Sequence, residues 1–273
     1  MATSRDKQAA IDTFLQGLRR DIIMMAAHSS HVGVALSCVD IVAALYADVL
    51  NCSPATFDCP NRDRFILSKG HGCMALYAVL AQMGFIDRQL LETYGHNGSP
   101  LAEHPLAGKV NGVECATGSL GHGLAIGAGM AHGLKLQGIE ARVFVLMGDG
   151  ECNEGSVWEA AALASHGKLD NLVAIVDVNG LQACGSCEKI SPGTSLADSW
   201  KSFGWDVFDV DGHDYQELVT VLGQAANTDR PRVVLCRTIK GKGVDFMEGD
   251  LEWHYRPVKG VDRDAALRRL TGA

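Results

Sequence analysis

Two turns with oxygen-bearing side chains follow apolar segments and could together hold a metal ion. Asp149 lies in a Gly-Asp-Gly turn after the apolar run 143–147, and Asn179 lies in an Asn-Gly turn after the run 172–178. Mg²⁺ takes about six oxygen ligands, commonly one or two from carboxylates and the rest from phosphates, carbonyls and waters. The Asp149 carboxylate, the Asn179 amide and the Leu181 carbonyl would supply the protein's share, and a diphosphate would complete the set.

Each turn on its own also has a purely structural interpretation. Asp-Gly and Asn-Gly pairs are common turn formers wherever a strand ends. Two neighbouring strands that both end in this way, joined by a helical crossover, favour a ligand site over two unrelated turns.

Other motifs in the chain point away from chemistry. The Lys-Gly-Lys-Gly run at 240–243 lacks the GxxxxGK[ST] spacing of a phosphate loop, so we expect a mobile lid or a solvated turn. Nine cysteines are scattered along the chain, and only Cys184 and Cys187 form a CxxC pair. An odd count without a second Cys/His pair at zinc-finger spacing predicts two free thiols in a reducing cytoplasm.

Apolar strands alternate with helical patterns along the whole sequence. The pattern predicts an α/β fold, a parallel β-sheet flanked by helices on both faces, formed by a single domain over 1–273. Ligands of such sheets bind beyond the carboxyl ends of the strands. The predicted strands are 64–68, 143–147, 172–178, 207–210 and 233–237, and the predicted helices are 7–27, 38–50, 73–84, 122–138, 155–166 and 215–226.

Composition limits the classes of partner. The 273 residues carry a net charge of −8 and 47% are hydrophobic, which argues against nucleic acid or an anionic membrane as the main partner. The polar N-terminus is unlike a secretory signal, and no apolar run approaches the roughly 20 residues that span a bilayer. We therefore expect a cytoplasmic protein.

Four ordered motifs resemble those of the transketolase family. The Gly-Asp-Gly turn with the later Asn179 resembles the thiamine-diphosphate motif. The segment 63–72 (DRFILSKGHG), the segment 112–121 (GVECATGSLG) and the late Glu-Trp-His at 252–254 are similar to transketolase motifs, and His31 lies where the family has Gly-His-Pro-Gly. Several motifs in register are far more specific than the Gly-Asp-Gly turn alone.

The resemblance implies roles for the matched positions. His31 and His104 would line the substrate channel, His71 and His254 would meet the diphosphate and the thiazolium side, and Glu154 and Glu159 would join a carboxylate network across a subunit interface. The metal ligands would be Asp149, Asn179 and the Leu181 carbonyl. Contacts to the cofactor would come from His71, Gly118, Ser119, Leu120, Gly148, Asp149, Gly150, Glu151, Asn179 and His254. Imidazoles titrate near neutrality, so these histidines would suit the proton transfers of sugar chemistry.

The implied activity is transfer of a two-carbon ketol unit from a ketose donor, expected to be a phosphate ester, to an aldose acceptor. The cofactors would be thiamine diphosphate with Mg²⁺, or with Ca²⁺ or Mn²⁺. The family's pyrimidine-binding domain does not follow in this sequence, so a C-terminal transketolase subunit is expected as partner in an α₂β₂ assembly. The small-residue helix at 121–133 is the expected subunit contact.

Some positions depart from the family pattern, and other functions stay open. Val32 and Ser119 replace prolines, His122 replaces a glutamine, and Val178 replaces a polar residue. The alternatives are an α-type subunit of a 2-oxo acid dehydrogenase, a pyruvate–aldehyde synthase, or a non-catalytic cofactor-binding subunit.

Overall fold

A computed structural model describes residues 4–27, 29–191, 193 and 195–271. The helices of this part of the chain are α1 (Ser4–Met25), α2 (Val32–Ala44), α3 (Cys73–Gln82), α4 (Gly123–Leu136), α5 (Gly155–His166), α6 (Cys187–Ile190), α7 (Leu196–Ser202), α8 (Tyr215–Gly223) and α9 (Gly260–Thr271). The strands are β1 (Arg64–Leu67), β2 (Val143–Gly148), β3 (Leu172–Val178), β4 (Leu181–Gln182), β5 (Gly185–Ser186), β6 (Asp206–Asp211) and β7 (Arg232–Arg237).

Five of these strands form one parallel sheet in the order β1-β2-β3-β7-β6. Strands β1, β2, β3 and β7 are buried almost throughout, as their continuous apolar sequences predict. Because all five run in the same direction, their carboxyl ends meet at one edge of the sheet. The short strands β4 and β5 pair separately as an antiparallel hairpin beyond that edge.

A hydrophobic core covers each face of the sheet, which confirms the α/β prediction. Phe65 and Phe144 point into the core that α1, α2, α3 and α8 close. Ile66 and Val145, their neighbours along the strands, point into the core under α4, α5 and α7. This alternation follows from the two-residue side-chain period of a strand.

Helix α2 begins six residues before the predicted start at 38. Its residues Val32 to Ala44 are all buried, so the sequence carries no amphipathic period to mark the helix start. Together with the π-helical turn Leu45–Val49, it forms an 18-residue segment of mean hydropathy 1.8, long and apolar enough to cross a membrane by composition, so the expectation that no apolar run approaches that length is wrong. In the structure 89% of that segment is buried inside the protein, so the domain core accounts for its apolar character.

The glycines of α4 divide between two environments. A Cβ on Gly127 would lie 2.4 Å from Val145 Cγ2, and one on Gly123 would lie 2.2 Å from Ser68 Oγ, so both glycines allow the helix to pack on its own sheet. A Cβ on Gly129 or Gly133 would meet nothing within 4 Å. The prediction of a subunit contact over the whole of 121–133 is therefore wrong for the inward glycines and remains a prediction for the outward face.

The CxxC pair consists of two free thiols, as predicted. Cys184 lies in the turn of the β4–β5 hairpin and Cys187 begins α6, with the extended pair Gly185–Ser186 between them.

Candidate functional site

A cavity of about 450 Å³ lies at the carboxyl edge of β1, β2 and β3. Of the fifteen predicted site residues, thirteen line it: His31, His71, His104, Gly118, Leu120, Gly148, Asp149, Gly150, Glu151, Glu154, Asn179, Leu181 and His254. The other two, Ser119 and Glu159, are exposed and do not line it. Two other hollows, of about 510 and 810 Å³, contain no predicted site residue.

The four motif histidines come from four separate segments and meet in this cavity. His31 precedes α2, His71 lies in the turn after β1, His104 lies in the loop before α4, and His254 ends the turn Leu251–His254. The His31 ring centroid is 5.2 Å from that of His71, 6.4 Å from that of His104 and 4.9 Å from that of His254. The structure thus brings together residues that lie up to 223 positions apart (254 − 31).

His31 has an unusual backbone conformation. Its φ of 71° is in the left-handed region, which costs a residue other than glycine about 1–3 kcal/mol. Its backbone N–H donates to the His254 carbonyl at 2.9 Å, which holds the two segments together. Its side-chain Nδ1 is buried and finds no hydrogen-bond partner among the described residues. A ligand hydroxyl could supply that partner.

Three of the site histidines, His31, His71 and His254, are neutral at physiological pH. Burial, with the neighbouring His104 and Lys240, lowers the pKa of His31 to about 4. Burial and the Lys240 ammonium lower the pKa of His254 to about 3, and burial also lowers that of His71. The expectation that these imidazoles titrate near neutrality is therefore wrong for the chain by itself. Each neutral ring instead offers one donor and one acceptor nitrogen.

The proposed metal ligands lie together at the ends of β2 and β3. The Asp149 carboxylate accepts the Gly150 N–H at 2.8 Å and the Gly180 N–H at 2.7 Å. The Asn179 Oδ1 accepts the Leu181 N–H at 3.1 Å. These bonds hold a carboxylate, an amide oxygen and a carbonyl around one turn.

The donor chemistry at this turn fits a hard cation. Burial and the nearby Asp177 raise the pKa of Asp149, and a cation at this point would relieve both effects. Oxygen donors with lone pairs to spare suit Mg²⁺, Ca²⁺ or Mn²⁺. Among the described residues no group of three His, Cys, Asp or Glu could hold a metal. A metal here would therefore depend on the amide and carbonyl oxygens beside Asp149.

Two buried lysines line the cavity, and the sequence patterns did not mark either as a site residue. Lys69 and Lys240 are each only 1% exposed. The Lys240 Nζ lies 2.9 Å from His254 Nδ1 and donates to the Leu181 carbonyl at 3.4 Å, so the expectation of a solvated turn at 240–243 is wrong for Lys240, and the alternative of a mobile lid stays a prediction. Burial and the Lys69 charge lower the pKa of Lys240 to about 8. In an acidic chain, these ammonium groups give the cavity local positive charge.

Lys69 is paired with a buried carboxylate. Its Nζ donates to Asp177, which is fully buried and also accepts the Ser37 and Thr238 hydroxyls. Burial opposes the charged form of Asp177, but these donors outweigh it and hold the pKa of Asp177 below its usual value. Asp177 also accepts the Asn179 Nδ2–H at 3.0 Å and thereby orients the amide oxygen of that proposed metal ligand.

Glycines and a buried glutamate shape the walls of the cavity. Gly118 has a φ of 143°, and a Cβ there would lie 2.7 Å from His104 Cδ2, so only glycine allows this approach. A Cβ on Gly150 would lie 2.8 Å from Gln182 Cγ. Glu151 is 2% exposed and accepts hydrogen bonds from Ser68 Oγ and from the backbone of the adjoining loops. Its carboxylate therefore fixes loop geometry.

Comparison with known proteins gives the family. The family model "Transketolase, thiamine diphosphate binding domain" matches residues 7–272. One subunit of an apulose-4-phosphate transketolase from Phocaeicola vulgatus is 40% identical over 250 residues, which cover 91% of this chain and 89% of the relative. A 6-deoxy-6-sulfo-D-fructose transketolase subunit from a Clostridium species is 40% identical, and the match covers 88% of each chain.

Solved transketolases share the fold over part of their length. A transketolase variant from Pichia stipitis superposes with a TM-score of 0.84 at 28% identity, and the enzyme from Campylobacter jejuni with 0.83 at 29%. The match covers 94% and 96% of this chain but spans only 40% and 42% of those proteins. The chain belongs to the transketolase family, through that family's thiamine-diphosphate-binding domain.

Proposed function

We propose that this chain is the diphosphate-binding subunit of a two-component transketolase. The observation that carries the proposal is one cavity in which oxygen donors for a cation, two buried lysines and four imidazoles lie side by side. The two apulose-4-phosphate transketolase relatives, each named as a single subunit, support it because they align over 89% and 94% of their own length. We further propose that residues 1–273 act as one domain and that the enzyme is cytoplasmic.

The floor of the cavity would bind the anionic end of thiamine diphosphate. Asp149, Asn179 and the Leu181 carbonyl would hold the divalent ion, and Mg²⁺ suits this donor set. Lys240 would add positive charge next to them. When bound, the cofactor supplies the carbon nucleophile that accepts the two-carbon unit.

The imidazoles would act on the hydroxyl groups of the sugars. His31, with its unpartnered Nδ1, is suited to accept a hydroxyl proton or to hold the hydroxyl in place. His71, His104 and His254 surround it and would orient the remaining oxygens. Low pKa values keep His31, His71 and His254 uncharged at neutral pH, so each of these rings keeps one nitrogen free as an acceptor.

A second polypeptide would complete the site. The solved transketolases extend well beyond the part that this chain matches. We propose that a C-terminal transketolase subunit supplies the pyrimidine-binding domain in an α₂β₂ assembly. The outward face of α4 and α5 would meet it, because Ile126 and Leu163 are 36% and 60% exposed there and Gly129 and Gly133 allow close approach. Glu159 on α5 is exposed beside this face, where the predicted carboxylate network would cross the interface.

Calorimetric titration with thiamine diphosphate and Mg²⁺, followed by turnover of a ketose phosphate and an aldose with the partner subunit, tests the proposal. Asp149→Ala should abolish metal-dependent cofactor binding and turnover. Asp198→Ala removes an exposed carboxylate that lies outside the cavity, 3.9 Å from Lys201 Nζ; it is the matched control and should change neither. Turnover of pyruvate in place of the ketose, or full activity of Asp149→Ala, would refute it.

A further inference from the structure

Tyr255 is a cavity residue to which the family motifs assign no role. It lines the mouth of the cavity and is 61% exposed. Its ring centroid lies 4.5 Å from that of His254 and 5.6 Å from that of His31, in edge-on contact with both imidazoles. A single exposed aromatic is ordinary on a protein surface. An exposed aromatic against two site histidines is placed to touch whatever those histidines bind.

The backbone turn that carries this ring is held in place by its own contacts. The preceding turn, Leu251–His254, is anchored by Trp253, which is 3% exposed and donates its indole N–H to the Phe246 carbonyl at 3.2 Å. The His254 carbonyl accepts the His31 N–H, and the Tyr255 N–H donates to the Glu252 carbonyl at 3.3 Å. The ring therefore projects from a well-packed turn and takes up a defined part of the cavity mouth.

The positive charges near Tyr255 are already engaged or lie deep in the cavity. The Arg256 guanidinium stacks over the Trp253 ring at 4.6 Å and pairs with Asp262 at 2.6 Å. The lysines that line the cavity, Lys69 and Lys240, are buried at its floor. At the mouth of the cavity, beside His31, the group that this chain presents is therefore the aromatic ring of Tyr255.

We propose that Tyr255 is a specificity-determining residue that limits the length of the aldose acceptor. The inference rests on the proposed transketolase function. A cavity of about 450 Å³ must admit the cofactor's diphosphate end and the reacting carbons next to His31. The remaining carbons of the acceptor must then pass the Tyr255 ring, so each added carbon comes up against that ring.

The test is an acceptor series with unbranched aldoses of two to five carbons, one ketose donor, and the complete two-subunit enzyme. The measured quantity is the ratio of kcat/KM for the longest acceptor to that for the shortest. Tyr255→Ala should raise this ratio about tenfold, since one carbon in a confined site changes kcat/KM by about 10–200-fold. The ratio is independent of how much enzyme carries cofactor, because both acceptors meet the same loaded fraction.

Two further variants separate ring bulk from other effects. Tyr255→Phe keeps the ring and should leave the ratio within about twofold of wild type. Val261→Ala, at a side chain 81% exposed and outside the cavity, is the matched truncation and should leave the ratio unchanged.

Two results would overturn the inference: an unchanged ratio in Tyr255→Ala, or an equal rise in Tyr255→Phe. If the wild-type complex turns over no ketose with any aldose, the proposed function itself is refuted. That outcome is distinct, because no kcat/KM ratio can then be measured.

Discussion

Replacing Lys69 by methionine should destabilise the chain more than any surface charge substitution. Lys69 and Asp177 form an ion pair whose side chains are 2% and 0% exposed. Methionine roughly preserves the volume of the lysine stem and removes the charge. Asp177 would keep the hydroxyls of Ser37 and Thr238 and the Asn179 amide as donors but would lose its counter-charge inside the protein.

The expected loss follows from that uncompensated carboxylate. Removing one partner of a buried ion pair typically costs about 3–5 kcal/mol of unfolding free energy. In proteins of about 150–250 residues, 1 kcal/mol shifts Tm by roughly 2–4 °C, so the melting temperature should fall by roughly 6–20 °C. The exposed pair Lys135–Asp170, with side chains 39% and 37% exposed, gives the matched control. Lys135→Met should cost no more than about 1 kcal/mol.

Thermal and urea unfolding followed by circular dichroism, without thiamine diphosphate, measures both variants. The double variant Lys69→Met/Asp177→Asn should be more stable than Lys69→Met, because no charge is left buried without a partner. A loss in Lys69→Met as small as that in Lys135→Met would show that the buried carboxylate does not need its counter-charge. A double variant no more stable than Lys69→Met would show the same.

Three further perturbations test other parts of the structure. Burial lowers the pKa of His31 to about 4 and that of His254 to about 3, so below about pH 6.5 the unfolded chain binds more protons than the native chain. The stabilisation that these neutral histidines contribute should be fully present above that pH, and the free energy of unfolding should fall as the pH is lowered toward 4. His31→Asn should flatten this fall in thermal melts between pH 6.5 and 4, and an unchanged slope would contradict the pKa assignment. Gly118→Ala places a Cβ 2.7 Å from His104 Cδ2 and should lower kcat/KM of the complete enzyme at least about tenfold. An unchanged kcat/KM in this variant would show that the loop moves to accommodate the Cβ without disturbing the site. Gly127→Leu should lower the unfolding free energy by about 1–3 kcal/mol or more in urea titrations, because its Cβ would lie 2.4 Å from a valine methyl of β2. Gly129→Leu, at the outward glycine, should not lower the unfolding midpoint, because its Cβ meets nothing and leucine favours a helix more than glycine does; equal losses would contradict the orientation of α4.

The sheet and the turns at its edge could be predicted because their physical causes are local. A strand buried on both faces needs a continuous apolar run, as in β2 and β3, and the polar turn residues Asp149 and Asn179 directly follow those runs. The start of α2 could not be predicted in this way. A helix enclosed on all sides has no polar face, so its sequence lacks the period that marks an exposed helix.

Buried charged side chains are the other feature that could not be predicted from local sequence. A lysine is expected in solvent, and what keeps Lys69 inside is Asp177, 108 positions later in the chain. Lys240 lies in a glycine-rich run that is typical of an exposed turn, yet its ammonium contacts His254. The protonation of the site histidines likewise depends on burial and on these lysines. Only the packed fold determines it.

The order of strands in the sheet bears on how the protein is made. β7 pairs with β3 on one side and β6 on the other, yet it is the last of the five strands in the chain. During synthesis from the N-terminus, the backbone N–H and C=O groups along one edge of the apolar strand β3 therefore stay unpaired until β7 is made. β6 is likewise synthesised before β7, the strand with which it pairs. Unpaired edges of this kind invite pairing between nascent chains. A chain that stops between α8 and β7 should aggregate, although it would already contain most of the residues of the cavity.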